Sequence, residues 1–150
     1  MTLKPGFLAR RFQQIAVAVF HAEVGAAGSD LTPVQYSVLT ALVENPGVDQ
    51  ATLAGLIAFD RTTIGGVVDR LAQKRLLSRR RHPTDRRAHA LKITAEGSEL
   101  IERIEPAVER AQRLMLGGLS ASEAEAFVRL LAKAVDGCND LSRAPMQGPQ

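Results

Sequence analysis

Tryptophan is absent from this 150-residue chain, and tyrosine and cysteine occur once each. A core built without aromatic bulk is mostly aliphatic. The lone Cys138 excludes a disulfide framework within one chain and fits a reducing compartment. No apolar run is long enough to span a bilayer, and no signal-peptide pattern is present. A soluble, cytoplasmic protein with no membrane partner is the expectation. The three histidines, His21, His82 and His89, are scattered and lack the spacing of a zinc motif. No Ser/His/Asp or paired-carboxylate arrangement can be placed, so neither catalysis nor a cofactor or metal is expected.

The apolar fraction of 45% is ordinary for a globular protein. The length suits one domain, or one small module with dimerising extensions. Charge is distributed unevenly. From Arg61 to Lys92 ten Lys/Arg face only Asp69 and Asp85, a local charge of +8 in a chain of +3 overall. A helix-period half, Arg61 to Leu76, is followed by two β-like runs around HPTDRRAH. Positive charge confined to a helix and a hairpin points to double-stranded DNA as a partner; the plainer alternative is a solvated basic face.

In chain order, Phe7 to Val24 reads as a helix with an apolar stripe through Leu8, Phe12, Ile15 and Val19. A second face carries Arg11, Gln14 and His21, with the small Ala18 between the last two. Two readings stand for it: an exposed polar face, or one wall of an anion-accepting pocket. The chain breaks at Gly25 to Asp30. Thr32-Pro33 opens the next helix, which stops near Asn45-Pro46-Gly47. Asp49 and Asp60 then cap two helices lying back to back across a short turn, a helix-turn-helix layout whose second member enters the major groove.

Arg61, Thr62, Thr63, Gly65 and Gly66 open that second helix, on the end that would meet base edges. The adjacent glycines cost about 1 kcal/mol each in a helix interior. They serve either close packing against a neighbouring helix or close approach to DNA. Arg70 and Lys74, farther along, are placed for phosphates. Leu76 to Arg81 and Ala88 to Ile93 read as strands joined by Pro83-Thr84-Asp85 turn chemistry. Arg81, Arg86 and Arg87 would bring guanidinium groups to DNA from this wing. Asp85 is expected to orient Arg87 through a carboxylate–guanidinium bond.

Thr94 caps a long helix from Ala95 to about Leu116, with Pro106 expected to kink or break it. Ser120-x-x-Glu123 is a capping box opening the last helix, whose apolar face runs from Ala124 to Cys138. The tail, residues 143–150, is Pro/Gly/Gln-rich and expected to be disordered. The helices outside the reading module carry apolar stripes that a compact winged domain does not need, which points to a homodimer.

Four stretches resemble the multiple-antibiotic-resistance regulator (MarR) family: LTPVQYSVLTAL, DQATLAGLIAFDRTTIGGVVDRLAQKRLL, RRRHPTDRRAHALKIT and the following TAEG. The resemblance covers roughly residues 7–138. Its specific signals are the Asp85-Arg86-Arg87-Ala88 wing and Thr94-x-x-Gly97. It implies a mainly α fold with a small β-wing, a winged helix-turn-helix (31–94) flanked by dimerisation helices (7–24 and 95–138). It also implies a palindromic operator and a repressor released by a small molecule.

By position, the resemblance places Arg11, Gln14, His21 and Tyr36 near a ligand pocket, Arg11 for a carboxylate and His21 and Tyr36 for a ring substituent. The alternative makes Tyr36 a core aromatic and His21 a surface group. PGFLARRFQQIAVAVF is similar to regulators of aromatic-acid breakdown, which suggests a small aromatic carboxylate effector. The family's peroxide sensors use a cysteine in the first helix, and none stands there in this sequence. A constitutive DNA-binding regulator, or a redox sensor through Cys138, are the alternatives.

Overall fold

A computed structural model describes residues 3–81, 84 and 89–148. In chain order the elements are α1 (Pro5–Ala26), α2 (Pro33–Glu44), α3 (Gln50–Leu56), α4 (Arg61–Gln73), β1 (Leu77–Arg81), β2 (His89–Ile93), α5 (Ala95–Met115) and α6 (Ala121–Gly137), then a short 3-10 turn, Asn139–Leu141. The chain divides into two compact units: Met1–Pro33 with Arg103–Ala132, and Val34–Glu102 with Lys133–Gln150.

In the second unit, Asp49 caps α3 by accepting the Thr52 N–H at 2.7 Å, and Asp60 caps α4 by accepting that of Thr62 at 3.0 Å. Between the two helices the chain direction turns by 106°, within the range of helix-turn-helix pairs. Ala58 supports the turn from left-handed backbone, φ 53°, while the Phe59 N–H reaches back to the Ala54 carbonyl at 2.9 Å. The end of α4 repeats the device. Arg75 has φ 61°, and the Leu76 N–H donates to the Leu71 carbonyl at 3.0 Å. Both are six-to-one closures of the kind glycine usually permits, here completed without one. Leu39, Leu42, Leu53, Ile64, Val68, Leu71 and Leu91 are fully buried.

β1 and β2 pair antiparallel with Leu77 opposite Ile93, Arg79 opposite Leu91 and Arg81 opposite His89. Leu91 also bridges to Val48: its N–H donates to the Val48 carbonyl at 2.9 Å, and its carbonyl accepts from Gly47 at 2.8 Å. The segment before α3 thereby gives the hairpin a third, minimal strand. Thr94 fastens the base of the wing to α5. Its hydroxyl donates to the Arg75 carbonyl at 2.7 Å and accepts the Gly97 N–H at 3.0 Å, and its N–H donates to the Leu76 carbonyl at 3.1 Å.

The first unit buries Phe20, Val24, Leu31, Ile104, Ala107, Val108 and Ala111. Phe12 and Phe127 meet edge to face with ring centroids 5.2 Å apart, and Arg110 pairs with Glu23 at 3.1 Å. The α6 capping box is complete, the Ser120 N–H donating to Glu123 at 2.9 Å and the Glu123 N–H to the Ser120 hydroxyl at 3.3 Å.

Several expectations change. α1 starts at Pro5 rather than Phe7, because a proline at the first helical position is preorganised for the helix, and it runs through Gly25 to Ala26. Of the kink or break expected at Pro106, the break does not occur, since α5 runs through it. Cys138 stands beyond the end of α6 and is exposed, so it does not pack on an apolar stripe. The tail expected to be disordered is instead held through Gln147: the Asn139 side chain accepts from the Met146 N–H and donates to the Met146 carbonyl, both at 2.9 Å, and the Gln147 N–H donates to the Gly55 carbonyl at 2.9 Å. Composition alone does not reveal such partners for the backbone.

Candidate nucleic-acid interface

Arg61, Thr62, Thr63 and Gly66 are all exposed on the first turns of α4. Asp60 organises them. One carboxylate oxygen accepts from both the Thr62 N–H (3.0 Å) and the Thr62 hydroxyl (2.8 Å), while the Asp60 carbonyl accepts from the Thr63 hydroxyl at 3.2 Å. The two Thr62 bonds, the N–H foremost, hold the Asp60 carboxyl below its ordinary range, with Arg143 adding to the effect. A β-carbon on Gly66 would meet nothing within 4 Å, and one on Gly65 only the end of Gln50, at 3.3 Å. Tight helix packing therefore does not account for Gly66.

Arg70 and Lys74 are exposed along the last turn and C-cap of α4. Arg79 on β1 makes an ion pair with Asp69 of α4, which ties the wing to the reading helix. The signal for it was present in the sequence, since Asp69 is one of only two acids in the basic stretch, but the strand register that brings the pair together was not. Arg80, Arg81 and Lys92 line a depression of about 430 Å³ with Pro46, Gly47, Thr84 and Ala90. Local sequence pattern does not distinguish Arg80 and Lys92 from the rest of the basic run. Asp85, Arg86 and Arg87, and with them the expected Asp85–Arg87 bond, lie outside the described residues.

The expected ligand residues divide between the units. Arg11, an exposed residue, lines a groove of about 550 Å³ whose other walls are Pro5, Leu8, Ala9, Phe12, Ile15, Phe127 and Leu131, so it is the one charged residue on otherwise apolar walls. Gln14 and His21 are exposed on α1 and are not among those walls. His21 meets the edge of Phe20 at 6.2 Å between centroids. Tyr36 belongs to the second unit and is half-buried on α2, where its carbonyl accepts from the Thr40 hydroxyl at 3.0 Å.

The geometry agrees with comparisons to known proteins. The model of the MarR family matches residues 29–88. The HTH-type transcriptional repressor NicR of Pseudomonas putida is 32% identical over 136 residues, 91% of this chain and 85% of that protein. The PcaV transcriptional regulator from Streptomyces coelicolor, solved in complex with its natural ligand, superposes with a TM-score of 0.80 at 35% identity, covering 91% of this chain and 97% of that one. Bordetella bronchiseptica BpsR, whose DNA binding is regulated by 6-hydroxynicotinic acid, gives 0.82 at 34% identity, covering 89% and 94%. With a reading helix capped by Asp60, a hairpin clamped by Thr94 and relatives matched over most of their length, the chain belongs to the MarR family of winged-helix transcriptional regulators.

Proposed function

We propose that this regulator is a homodimeric repressor that binds a palindromic operator and is released by a small aromatic acid. The observation that carries the proposal is Arg11, a single charge among the apolar walls of its groove. A guanidinium in such a setting suits a carboxylate attached to a ring: the fork binds the carboxylate bidentately while apolar walls take the ring. Gln14, one helical turn from Arg11 on α1, is the proposed polar contact that would choose among ring substituents. The similarity to BpsR, regulated by 6-hydroxynicotinic acid, supports the same ligand class.

The dimer is supported by the first unit. Leu114 on α5 and Val128 and Leu130 on α6 are between 52% and 57% exposed and stand outside the walls of the Arg11 groove, and α6 buries no residue. α6 reaches its own chain through Phe127 on Phe12 and leaves these other apolar side chains open, which suits a second copy. Two copies related by a two-fold axis would set two α4 helices into successive major grooves, about 10 base pairs apart. Arg61, Thr62, Thr63 and Gly66 would then meet bases, and Arg70, Lys74, Arg81, Arg86 and Arg87 phosphates or the minor groove, with Asp85 steadying the wing.

Fluorescence anisotropy on an inverted-repeat duplex, paired with thermal shift, tests this. Hydroxybenzoic, hydroxycinnamic and hydroxynicotinic acids should include one that raises the Tm and dissociates the duplex. A ligand at 100 times its Kd stabilises by about 2.7 kcal/mol. Arg11→Ala should abolish both responses and leave DNA binding intact. If no aromatic acid moves either signal, the protein is a constitutive regulator; release by peroxide that Cys138→Ser abolishes would make it a redox sensor.

A further inference from the structure

The C-terminal segment crosses the second unit as a strap beside the entrance of α4. Asn139 pinches the Met146 backbone from both sides, and the Gln147 N–H closes onto the Gly55 carbonyl at 2.9 Å. At Gly55 the strap packs closely, a β-carbon there standing 3.1 Å from Gln147. Between these anchors and α4, the strap and the reading helix enclose a depression of about 190 Å³. Arg61 and Arg143 line it together with Asp60, Phe59 and Pro145. Arg143 Nε stands 3.5 Å from the Asp60 carboxylate, and the side chain is 89% exposed.

Two features say what this arrangement faces. From Asn139 to Gln150 the charged side chains are Asp140, in the 3-10 turn, and Arg143, and of the two Arg143 alone lines the depression beside α4, so the strap brings a positive charge to the reading face. A segment built to screen that face from DNA would carry the opposite sign. The strap also leaves Arg61, Thr62 and Thr63 exposed.

We propose that the strap is part of the DNA-binding surface, with Arg143 offsetting the charge of Asp60 and joining Arg61 in holding a backbone phosphate of the operator. Asp60 caps the reading helix, yet its carboxylate would repel the phosphates that flank the groove, and Arg143 offsets that repulsion. The contact is to the backbone, so it adds affinity without sequence preference. The inference rests on the operator binding proposed above.

The test is the salt dependence of full-length protein binding to an inverted-repeat duplex, for wild type, Arg143→Ala and Arg143→Lys. The slope of log affinity against log salt should fall by about 0.9 per protomer in Arg143→Ala and stay near wild type in Arg143→Lys. Asn139→Ala, which loosens the strap but keeps its charge, should weaken binding as well. An unchanged slope in Arg143→Ala overturns the phosphate contact while operator binding stands. Tighter binding by Arg143→Ala or Asn139→Ala makes the strap a screen and overturns it too. A wild type that binds no duplex overturns both proposals.

Discussion

Gly97 lies so close to Leu76 that a β-carbon built on it would overlap the Leu76 carbonyl oxygen and stand 2.7 Å from Cγ1 of Ile93. The first turn of α5 thus rests directly on the backbone at the base of the wing. Thr94 bonds to the same backbone, at the Arg75 and Leu76 carbonyls.

Gly97→Ala should therefore destabilise the fold although alanine is the better helix former. Backbone cannot give way as a flexible side chain can, and overpacking of this kind costs about 1–3 kcal/mol. Urea denaturation followed by circular dichroism measures it; a variant as stable as wild type would show that the wing base yields freely.

Gly66→Ala should do the reverse. The position is helical, exposed and open around the missing side chain, so the variant should gain about 0.5–1 kcal/mol of stability. If the glycine serves close approach to DNA, operator affinity should drop in the same protein. Equal affinity with higher stability would remove Gly66 from the DNA surface.

The helix caps predict acid sensitivity. The Ser120 N–H, then its hydroxyl, holds Glu123 below its ordinary 4.5, and the bonds to Thr62 hold Asp60 below 3.8. A carboxylate whose pKa is depressed by folding contributes stability above its unfolded value and loses it as pH falls through the folded one. Glu123→Gln keeps the acceptor oxygen but not the charge, so its stability should vary less with pH than wild type below 4.5. Asp60→Asn, still a good cap, should flatten the profile below 3.8. Denaturant midpoints across the acid range decide it, and profiles parallel to wild type would deny the ionic caps.

Val128→Glu should yield a monomer. Val128 is 52% exposed on α6 and outside the Arg11 groove, and a charge there would be buried in the proposed interface. Sedimentation should show half the wild-type mass and operator affinity should collapse. A dimer that survives would place the interface elsewhere.

What could be read in the sequence was mostly local. Asp49, Asp60, Thr94 and the Ser120–Glu123 pair cap helices through bonds that span only two or three residues, so the pattern and the bond are nearly the same thing. The helix ends at Ala58 and Arg75 were harder to see, because a left-handed closure normally announces itself with glycine and neither has one. Bonds between distant segments left no trace: Thr94 to Arg75, Leu91 to Val48 and Gln147 to Gly55 depend on the fold having already formed. Among candidate site residues, local pattern found the exposed opening of α4 but not the Asp69–Arg79 pair, which requires the strand register.

The bond between Thr62 and Asp60 also bears on the base preference proposed for Thr62. A carboxylate only accepts, so the Thr62 hydroxyl must spend its one proton on Asp60. While that bond holds, Thr62 offers the major groove lone pairs and no donor. Its favoured partners are then amino groups, N6 of adenine or N4 of cytosine, whereas the keto edges of guanine and thymine present a further acceptor. With Thr62 at a base edge, as proposed, the cap that starts the reading helix would bias the letter read at its first turn.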